Sequence, residues 1–213
     1  MKGAYILAAT HFSPFDVPLL VRHSHRKLDF VSIVEVFAKP FVGWFYGNMN
    51  AFPLDRSKTD SKTVRIIRDR LRRGRVIAIF PEGNLRKWED SVLNGGEIKP
   101  GIARLAQMVG VPIIPVVVLD SQKYGSWKSW LPLRRTKYCI NFGEPIQVGG
   151  RASSFAETIN TTDSANGDVR PPVLDVRDAA TVEAELKAAF LKLHQELIEH
   201  KNELRLPNKE QLP

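Results

Sequence analysis

The stretch Tyr5-Ile-Leu-Ala-Ala-Thr-His-Phe-Ser-Pro-Phe-Asp-Val-Pro-Leu-Leu20 decides the fold of this chain. Its first five residues are apolar, too few for a lone helix and without a helical stripe, so they predict a buried β-strand. Ser13 then resembles a helix N-cap, because Pro14 suits the first helical position and Asp16 follows the cap by three residues. The stretch therefore predicts a strand, a tight corner and a helix that runs from about Pro14 to Arg22.

The corner places two chemically useful side chains together. His11 lies at the end of the predicted strand, and Asp16 lies in the first turn of the predicted helix. A carboxylate in that position can hold one imidazole nitrogen and leave the other free to accept a proton. The pair is typical of a general base that deprotonates a substrate hydroxyl. Because short motifs of this kind also occur by chance, Asp16 taken alone is equally explained as a capping residue.

A second strand end carries another motif. Val76 to Phe80 is short, almost wholly apolar and rich in β-branched residues, so it predicts a buried strand. The segment Phe80-Pro-Glu-Gly83 lies at its carboxyl end. Ligands of open α/β sheets bind at the carboxyl ends of the strands. If the strands are parallel, Glu82 therefore lies at the same edge of the sheet as His11.

The rest of the chain completes an α/β pattern. At 213 residues it suits one domain, residues 1–213, with a central mixed, largely parallel sheet flanked by helices on both faces. Pro53 predicts an edge strand, since proline cannot donate to a ladder. A Ser-, Gly- and Pro-rich segment at about 149–175 predicts a flexible loop. The remaining predictions are strands at 28–34, 111–119 and 138–142, a broken helix at 37–46, a loop at 84–99, and helices at 61–74, 99–109 and about 181–202.

Composition limits the classes of function. The net charge is +8, which favours anionic partners such as lipid, phosphorylated small molecules or nucleic acid. Nucleic acid is the weaker choice, because no zinc-finger spacing and no basic stripe interleaved with aromatic residues is present. Cys139 is the single cysteine, so an internal disulfide is excluded and a cytoplasmic location is expected.

The apolar runs of the sequence are short. No run approaches the roughly 20 residues that a transmembrane helix needs, and the apolar run after Met1 is too short for a signal peptide. We therefore expect the first residues to belong to the mature fold. Either the chain is a minimal form, or its natural N-terminus lies further upstream.

Four motifs, taken in order, resemble the glycerolipid acyltransferase family, which makes phosphatidate from lysophosphatidate. They are His11-x4-Asp16, Phe52-Pro-Leu-Asp-Arg56, Phe80-Pro-Glu-Gly83 and Val111-Pro-Ile-Ile-Pro115. The resemblance runs from about Ala8 to Pro115. It implies transfer of an acyl group from acyl-CoA or acyl-carrier protein to the hydroxyl of 1-acyl-glycerol 3-phosphate.

The resemblance also implies roles for individual residues. His11 is the base and Asp16 orients it, while Arg56 grips the acceptor phosphate through its planar guanidinium. Glu82 binds the glycerol or orders its loop, and Gly83 allows close backbone approach. Arg86 and Lys99 complete the substrate-binding set. The reaction requires no metal and no cofactor beyond the acyl donor as co-substrate.

Three details of these motifs bear on the substrate site. Arg86 lies one position later than the family's arginine, and Thr10 stands where asparagine often precedes the histidine. The segment Lys99-Pro-Gly101 opens a predicted helix, whose first backbone N–H groups would offer an anion site. Because the arginine is displaced, the resemblance implies the roles of Glu82 and Gly83 more directly than the role of Arg86.

Other functions remain open. The acceptor could be another lysophospholipid or glycerol 3-phosphate, the pair His11/Asp16 could activate water in an acyl-thioester hydrolase, and the chain could be a non-catalytic lipid-binding module. Peripheral contact with the cytoplasmic face of an anionic membrane is expected of a segment that mixes indoles, leucines and cations, Trp127 to Lys137. Ordinary packing of the two tryptophans is the competing explanation.

Overall fold

A computed structural model of the chain describes residues 3–33, 52–54, 61–125, 137–149 and 177–203. The predicted broken helix at 37–46, the segment 127–137 except Lys137, and the loop at 149–175 except Gly149 lie outside the described residues. So does Arg56. Of the helices in the described ranges, none combines the length and the apolar character needed to cross a bilayer.

Six strands form one sheet, and the N-terminal strand lies inside it. The strands run in the spatial order β3-β2-β4-β1-β5-β6. Neighbours pair in parallel except β5 and β6, which are antiparallel. The predicted mixed, largely parallel sheet is confirmed, and so is the edge position of the strand that contains Pro53. The bounds are β1 Tyr5–Ala9, β2 Leu28–Ile33, β3 Phe52–Leu54, β4 Val76–Ile79, β5 Ile113–Leu119 and β6 Cys139–Phe142.

Helices cover both faces of the sheet. Along β1, Ile6 and Ala8 face one apolar cluster, which the three later helices complete. Leu7 faces a second apolar cluster, which the first helix completes. Every residue of β1 is buried for this reason, and the strand reads as a continuous apolar run rather than an alternating one. The helices are α1 Asp16–His23, α2 Ser61–Arg72, α3 Ile102–Val109 and α4 Ala179–Glu203.

The C-terminal helix packs back onto the sheet, as its apolar stripe predicts. Leu186, Phe190, Leu193 and Leu197 recur at helical spacing, and all four are buried in the first cluster. Complete burial of such side chains contributes about 1.5–3 kcal/mol each. The helix therefore forms a fixed wall beside β5, two residues longer at its start than the sequence predicts.

The first helix begins later than predicted. It starts at Asp16, and Phe15 occupies the N-cap position without a side-chain cap, so the assignment of Ser13 as N-cap and of Pro14 as first helical residue is wrong. The Asp16 carboxylate turns back instead and accepts the backbone N–H groups of Phe12 and Ser13, at 2.8 and 2.9 Å. These bonds stabilise the corner between β1 and α1.

The segment between β4 and α3 contains more structure than the predicted loop. Two short 3₁₀ turns, Trp88–Asp90 and Val92–Asn94, lie within it. Val92 and Leu93 are buried in the first apolar cluster, which anchors this segment beneath the carboxyl edge of the sheet. A third turn, Ser121–Gly125, follows β5.

Candidate active site

Parallel pairing of β1 with β4 brings two distant motifs together. Ala8 pairs with Ile79, so the residues that follow each strand leave the sheet side by side. His11 and Glu82, 71 positions apart, are joined by a hydrogen bond of 3.2 Å from the His11 backbone N–H to Glu82 Oε2. The carboxyl edge of the sheet therefore contains both His11 and Glu82.

The His11 imidazole is held by Asp16. Nδ1 lies 3.0 Å from Asp16 Oδ2, and Asp16 is fully buried, whereas 16% of the His11 side chain is exposed. If Nδ1 donates this bond, Nε2 is left as a proton acceptor, and Nε2 has no partner among the described residues. Asp16 Oδ1 is buried and likewise has no partner there. Because Asp16 receives only neutral backbone donors besides His11, its negative charge is available to an imidazolium.

The ring of Phe80 fixes the plane of the imidazole. The two rings stack with centroids 3.9 Å apart and an angle of 15° between their planes. Stacking on one side and the Asp16 bond at one edge leave the ring little freedom to rotate. From the sequence, Phe80 is the end of a strand and the first residue of the Phe80-Pro-Glu-Gly83 motif, without a predicted contact to His11. Its position in that motif, at the end of the neighbouring strand, was the available signal.

Glu82 points into the protein and away from any open space. It is fully buried; Oε1 accepts the Ser91 hydroxyl at 2.8 Å and the Val92 N–H at 2.7 Å, while Oε2 accepts the His11 N–H. A buried carboxylate with these donors ties three backbone segments together. Of the two roles expected for Glu82, this placement favours ordering of the loop over contact with glycerol.

Gly83 adopts a conformation that favours glycine. Its φ is +79°, and a Cβ at this position would lie 2.8 Å from Cε of Lys99. The Lys99 backbone N–H donates to the Pro81 carbonyl at 2.8 Å, which holds the two segments together. The exposed Lys99 side chain consequently lies over the Gly83 turn.

Arg86 is bonded to both catalytic segments. Its backbone N–H donates to the His11 carbonyl at 2.8 Å, and its Nη2 donates to the Glu82 carbonyl at 3.1 Å. Nε of the same guanidinium is buried and has no partner among the described residues. The structure therefore brings Arg86 to the site, although it lies one position away from the family's arginine.

At the start of α3, where the sequence predicts an anion site, one backbone N–H group is bonded to a side chain of the protein. The Gly101 N–H, at the N-cap of this helix, donates to Glu183 Oε1 of α4 at 2.8 Å. A carboxylate at a helix N-terminus supplies the negative charge that the helix dipole favours. Glu183 therefore supplies one carboxylate at the helix start where the sequence predicts an anion site, and binding of a substrate anion there remains a prediction.

A cavity of about 600 Å³, which we call the Trp88 pocket, lies beside the catalytic pair on the α4 side of the sheet. Phe12, the neighbour of His11, forms part of its wall, and Arg86 forms another part. Trp88 and His194 contact each other there, with ring centroids 5.2 Å apart. The remaining lining residues are Lys87, Glu89, Leu119, Asp120, Gln122, Ile198 and Lys201. The sequence does not reveal this pocket, because part of its wall, His194, Ile198 and Lys201, comes from α4.

Burial and ion pairing set the charges in the Trp88 pocket. Partial burial lowers the pKa of His194, so its imidazole is neutral near pH 7. Burial raises the pKa of Asp120, but Lys201 and Lys123, whose ammonium groups lie 2.6 and 3.0 Å away, outweigh it and hold that pKa below its usual value. The described residues contain no cluster of three or more His, Cys, Asp or Glu arranged to bind a metal ion.

Comparison with known proteins gives consistent matches. A family model described as Acyltransferase matches residues 1–119. A 1-acyl-sn-glycerol-3-phosphate acyltransferase of Saccharomyces cerevisiae is 33% identical, over 58% of this chain and 43% of its own length. A Bacillus subtilis protein of the same name is 30% identical, over 68% of this chain and 67% of its own. A lyso-ornithine lipid O-acyltransferase of Pseudomonas aeruginosa is 32% identical, over 52% and 41%.

One solved structure has a similar fold. The 1-acyl-sn-glycerophosphate acyltransferase PlsC of Thermotoga maritima superposes with a TM-score of 0.52 at 16% identity. The superposition covers 93% of this chain and 67% of PlsC. At that identity the likeness concerns the fold.

Proposed function

Because this chain belongs to the acyltransferase family, we propose that it transfers a fatty acyl group from the thioester of acyl-CoA or acyl-carrier protein to the free hydroxyl of 1-acyl-glycerol 3-phosphate. The family model covers more than half of the chain, and relatives from yeast and Bacillus subtilis have this activity in their names. The matched region spans 43% of the yeast protein and 67% of the Bacillus protein.

The geometry of His11 and Asp16 is the observation that carries the proposal. Nε2 of His11 removes the proton of the acceptor hydroxyl, and the oxygen attacks the thioester carbonyl carbon. The tetrahedral intermediate collapses with cleavage of the carbon–sulfur bond, and the leaving thiolate takes the proton back from the imidazolium. Asp16 holds Nδ1 at 3.0 Å and stabilises the imidazolium while it exists.

Direct transfer is preferred over an acyl-enzyme intermediate. The sequence has no Gly-x-Ser-x-Gly elbow, and its single cysteine, Cys139, lies on β6 rather than beside His11. The acyl donor is a co-substrate, and no step of the reaction calls for a metal or cofactor.

The other site residues serve the same reaction. Glu82 positions His11 through the backbone bond of 3.2 Å, and Gly83 permits the turn over which Lys99 lies. Arg56 grips the acceptor phosphate by resemblance to the family. Arg86 and Lys99 are cations at the edge of the site and attract the same anionic substrates.

One side of the site faces the cytoplasmic surface of a membrane. Leu85, two residues after the Gly83 turn, is 50% exposed and can insert at the headgroup boundary. The exposed Lys99 side chain lies over the same turn, and basic residues near an anionic leaflet contribute about 1 kcal/mol each. The segment from Trp127 to Lys137 remains a second candidate anchor.

One assay tests the proposed reaction. Purified protein receives labelled acyl-CoA or acyl-carrier protein and a panel of acceptors: lysophosphatidate, glycerol 3-phosphate, other lysophospholipids and lyso-ornithine lipid. Mass spectrometry identifies the product, and His11→Ala is the control. Phosphatidate is the expected product. Release of free fatty acid without acylated acceptor would instead indicate an acyl-thioester hydrolase, and tight lipid binding without any product would indicate a non-catalytic module.

A further inference from the structure

We propose that the Trp88 pocket receives the phosphopantetheine arm of the acyl donor, the part that acyl-CoA and acyl-carrier protein share. This inference rests on the proposed function. It assigns a place to the donor, whose position none of the sequence motifs indicates, and it makes α4 part of the substrate site.

Position is the first argument. The thioester carbon must come within about 3–3.5 Å of the attacking oxygen, so the donor must pass close to His11. Phe12 follows His11 directly in the chain and lines the pocket, and Arg86, another lining residue, bonds the His11 carbonyl. A ligand that lies in the pocket therefore has its end one residue away from the base.

The mixed lining is the second argument. The lining combines the apolar side chains of Phe12, Trp88 and Ile198 with hydrogen-bonding groups such as Gln122 and His194. Pantetheine combines the same kinds of group, with methyl and methylene groups between two amides and a hydroxyl. A fatty acyl chain fits poorly, because it would strip water from the polar groups without replacing their hydrogen bonds. The volume of about 600 Å³ suits a small-molecule site.

Charge is the third argument. Asp120 is satisfied by Lys201 and Lys123, and the lining contains one further acid, Glu89, beside the cations Arg86 and Lys87. Lys87 is exposed, and Nε of Arg86 is buried without a partner among the described residues. Arg86 bonds the His11 carbonyl and so lies at the thioester end of the arm, which leaves Lys87 to match the phosphate at the opposite end. A charged hydrogen bond to phosphate is stronger than a neutral one.

The test compares variants in the pocket with one outside it. Trp88→Ala removes the ring, and Lys87→Glu reverses the charge; both side chains are exposed, so the fold should persist. Lys192→Glu makes the same charge reversal at an exposed position of α4 that does not line the pocket. The measurements are the KM for acyl-CoA, acyl-carrier protein and lysophosphatidate, and the Kd for coenzyme A and for 4′-phosphopantetheine by calorimetry.

We expect each pocket variant to raise the donor KM and both Kd values about tenfold, equivalent to about 1.4 kcal/mol. The acceptor KM and all values for Lys192→Glu should stay within about twofold of wild type. Unchanged donor KM, or a rise in the acceptor KM instead, would overturn the assignment. Loss of coenzyme A binding without loss of 4′-phosphopantetheine binding would also overturn it, since the nucleotide would then occupy the pocket.

The calorimetry separates this inference from the proposed function. A wild-type protein that transfers no acyl group, yet binds 4′-phosphopantetheine in a manner that Trp88→Ala abolishes, would refute the reaction and support the pocket. Normal acyl transfer by the wild-type protein, with donor KM and Kd values unaltered in both pocket variants, would support the reaction and refute the pocket.

Discussion

Replacing Glu82 with Gln tests whether this residue positions the base or touches the acceptor. The substitution keeps the size of the side chain but replaces one acceptor oxygen with an NH₂ group. In either orientation of the amide, its NH₂ group faces a backbone N–H group, that of His11 or that of Val92, so two donors meet. If the amide oxygen keeps the Ser91 and Val92 bonds at 2.8 and 2.7 Å, the His11 N–H loses its acceptor.

The magnitude follows from that lost bond. A buried donor without a partner costs about 1–3 kcal/mol. For a chain of this size, about 2 kcal/mol corresponds to a Tm lower by roughly 4–8 °C. A shift of His11 by about 1 Å costs up to about 100-fold in rate, so we expect kcat to fall about 10- to 100-fold. The acceptor KM should change less than about threefold, because the buried carboxylate does not reach the acceptor.

Steady-state kinetics and thermal denaturation monitored by circular dichroism measure these effects. Ser91→Ala is the matched control, since it removes another donor to Glu82 but leaves the bond to His11. It should lower the Tm while kcat remains near the wild-type value. A Glu82→Gln protein with normal kcat and a strongly raised acceptor KM would refute the positioning role and place Glu82 in the acceptor site.

Further predictions concern the base, the acceptor phosphate and acid stability. His11→Ala should lower kcat about 10²- to 10⁴-fold or more with folding intact, and Asp16→Asn should also impair turnover. Full transferase activity in the His11→Ala variant would refute the role of His11 as the base. Arg56→Ala should raise the KM for a phosphorylated acceptor far more than the KM for the donor, and Arg56→Lys should restore the acceptor KM only partly. Equal effects on the two KM values would show that Arg56 does not bind the acceptor. Burial lowers the pKa of His194, so the unfolded chain binds more protons than the folded one below about pH 6.5, and stability declines as the pH falls through that range. His194→Gln should weaken this decline in Tm between pH 7.5 and 5.5, whereas an identical decline would exclude His194 as its source.

The sequence predicted that His11 and Glu82 lie at one edge of the sheet, because the signals there are local. A short apolar run followed by a corner determines where His11 leaves β1, and the same pattern places Glu82 after β4. Parallel pairing then brings both to one edge. The helix start was mispredicted for a physical reason: Ser13 and Asp16 both suit a capping role, and the sequence does not show that the Asp16 carboxylate bonds back to the corner instead.

Features that depend on distant packing could not be predicted. Glu183 reaches the start of α3 from 82 positions away, and the Trp88 pocket exists only when His194 of α4 meets the turn after β4. Side chains such as Trp88 and His194 have no motif of their own. Their function follows from their neighbours, which the three-dimensional fold alone supplies.

The central position of β1 has a consequence for synthesis in the cell. This strand is made first, yet it hydrogen-bonds to β4 and β5, which end at Ile79 and Leu119. At about 5–20 residues per second, the ribosome needs roughly 5–20 s to supply the second partner. Throughout that interval at least one edge of a wholly apolar strand is unpaired, and both edges are until β4 has been made. Unpaired edges of this kind favour aggregation and chaperone binding. Synonymous codon changes that slow translation between β1 and β5 should therefore lower the yield of soluble protein, while the same changes after β5 should not.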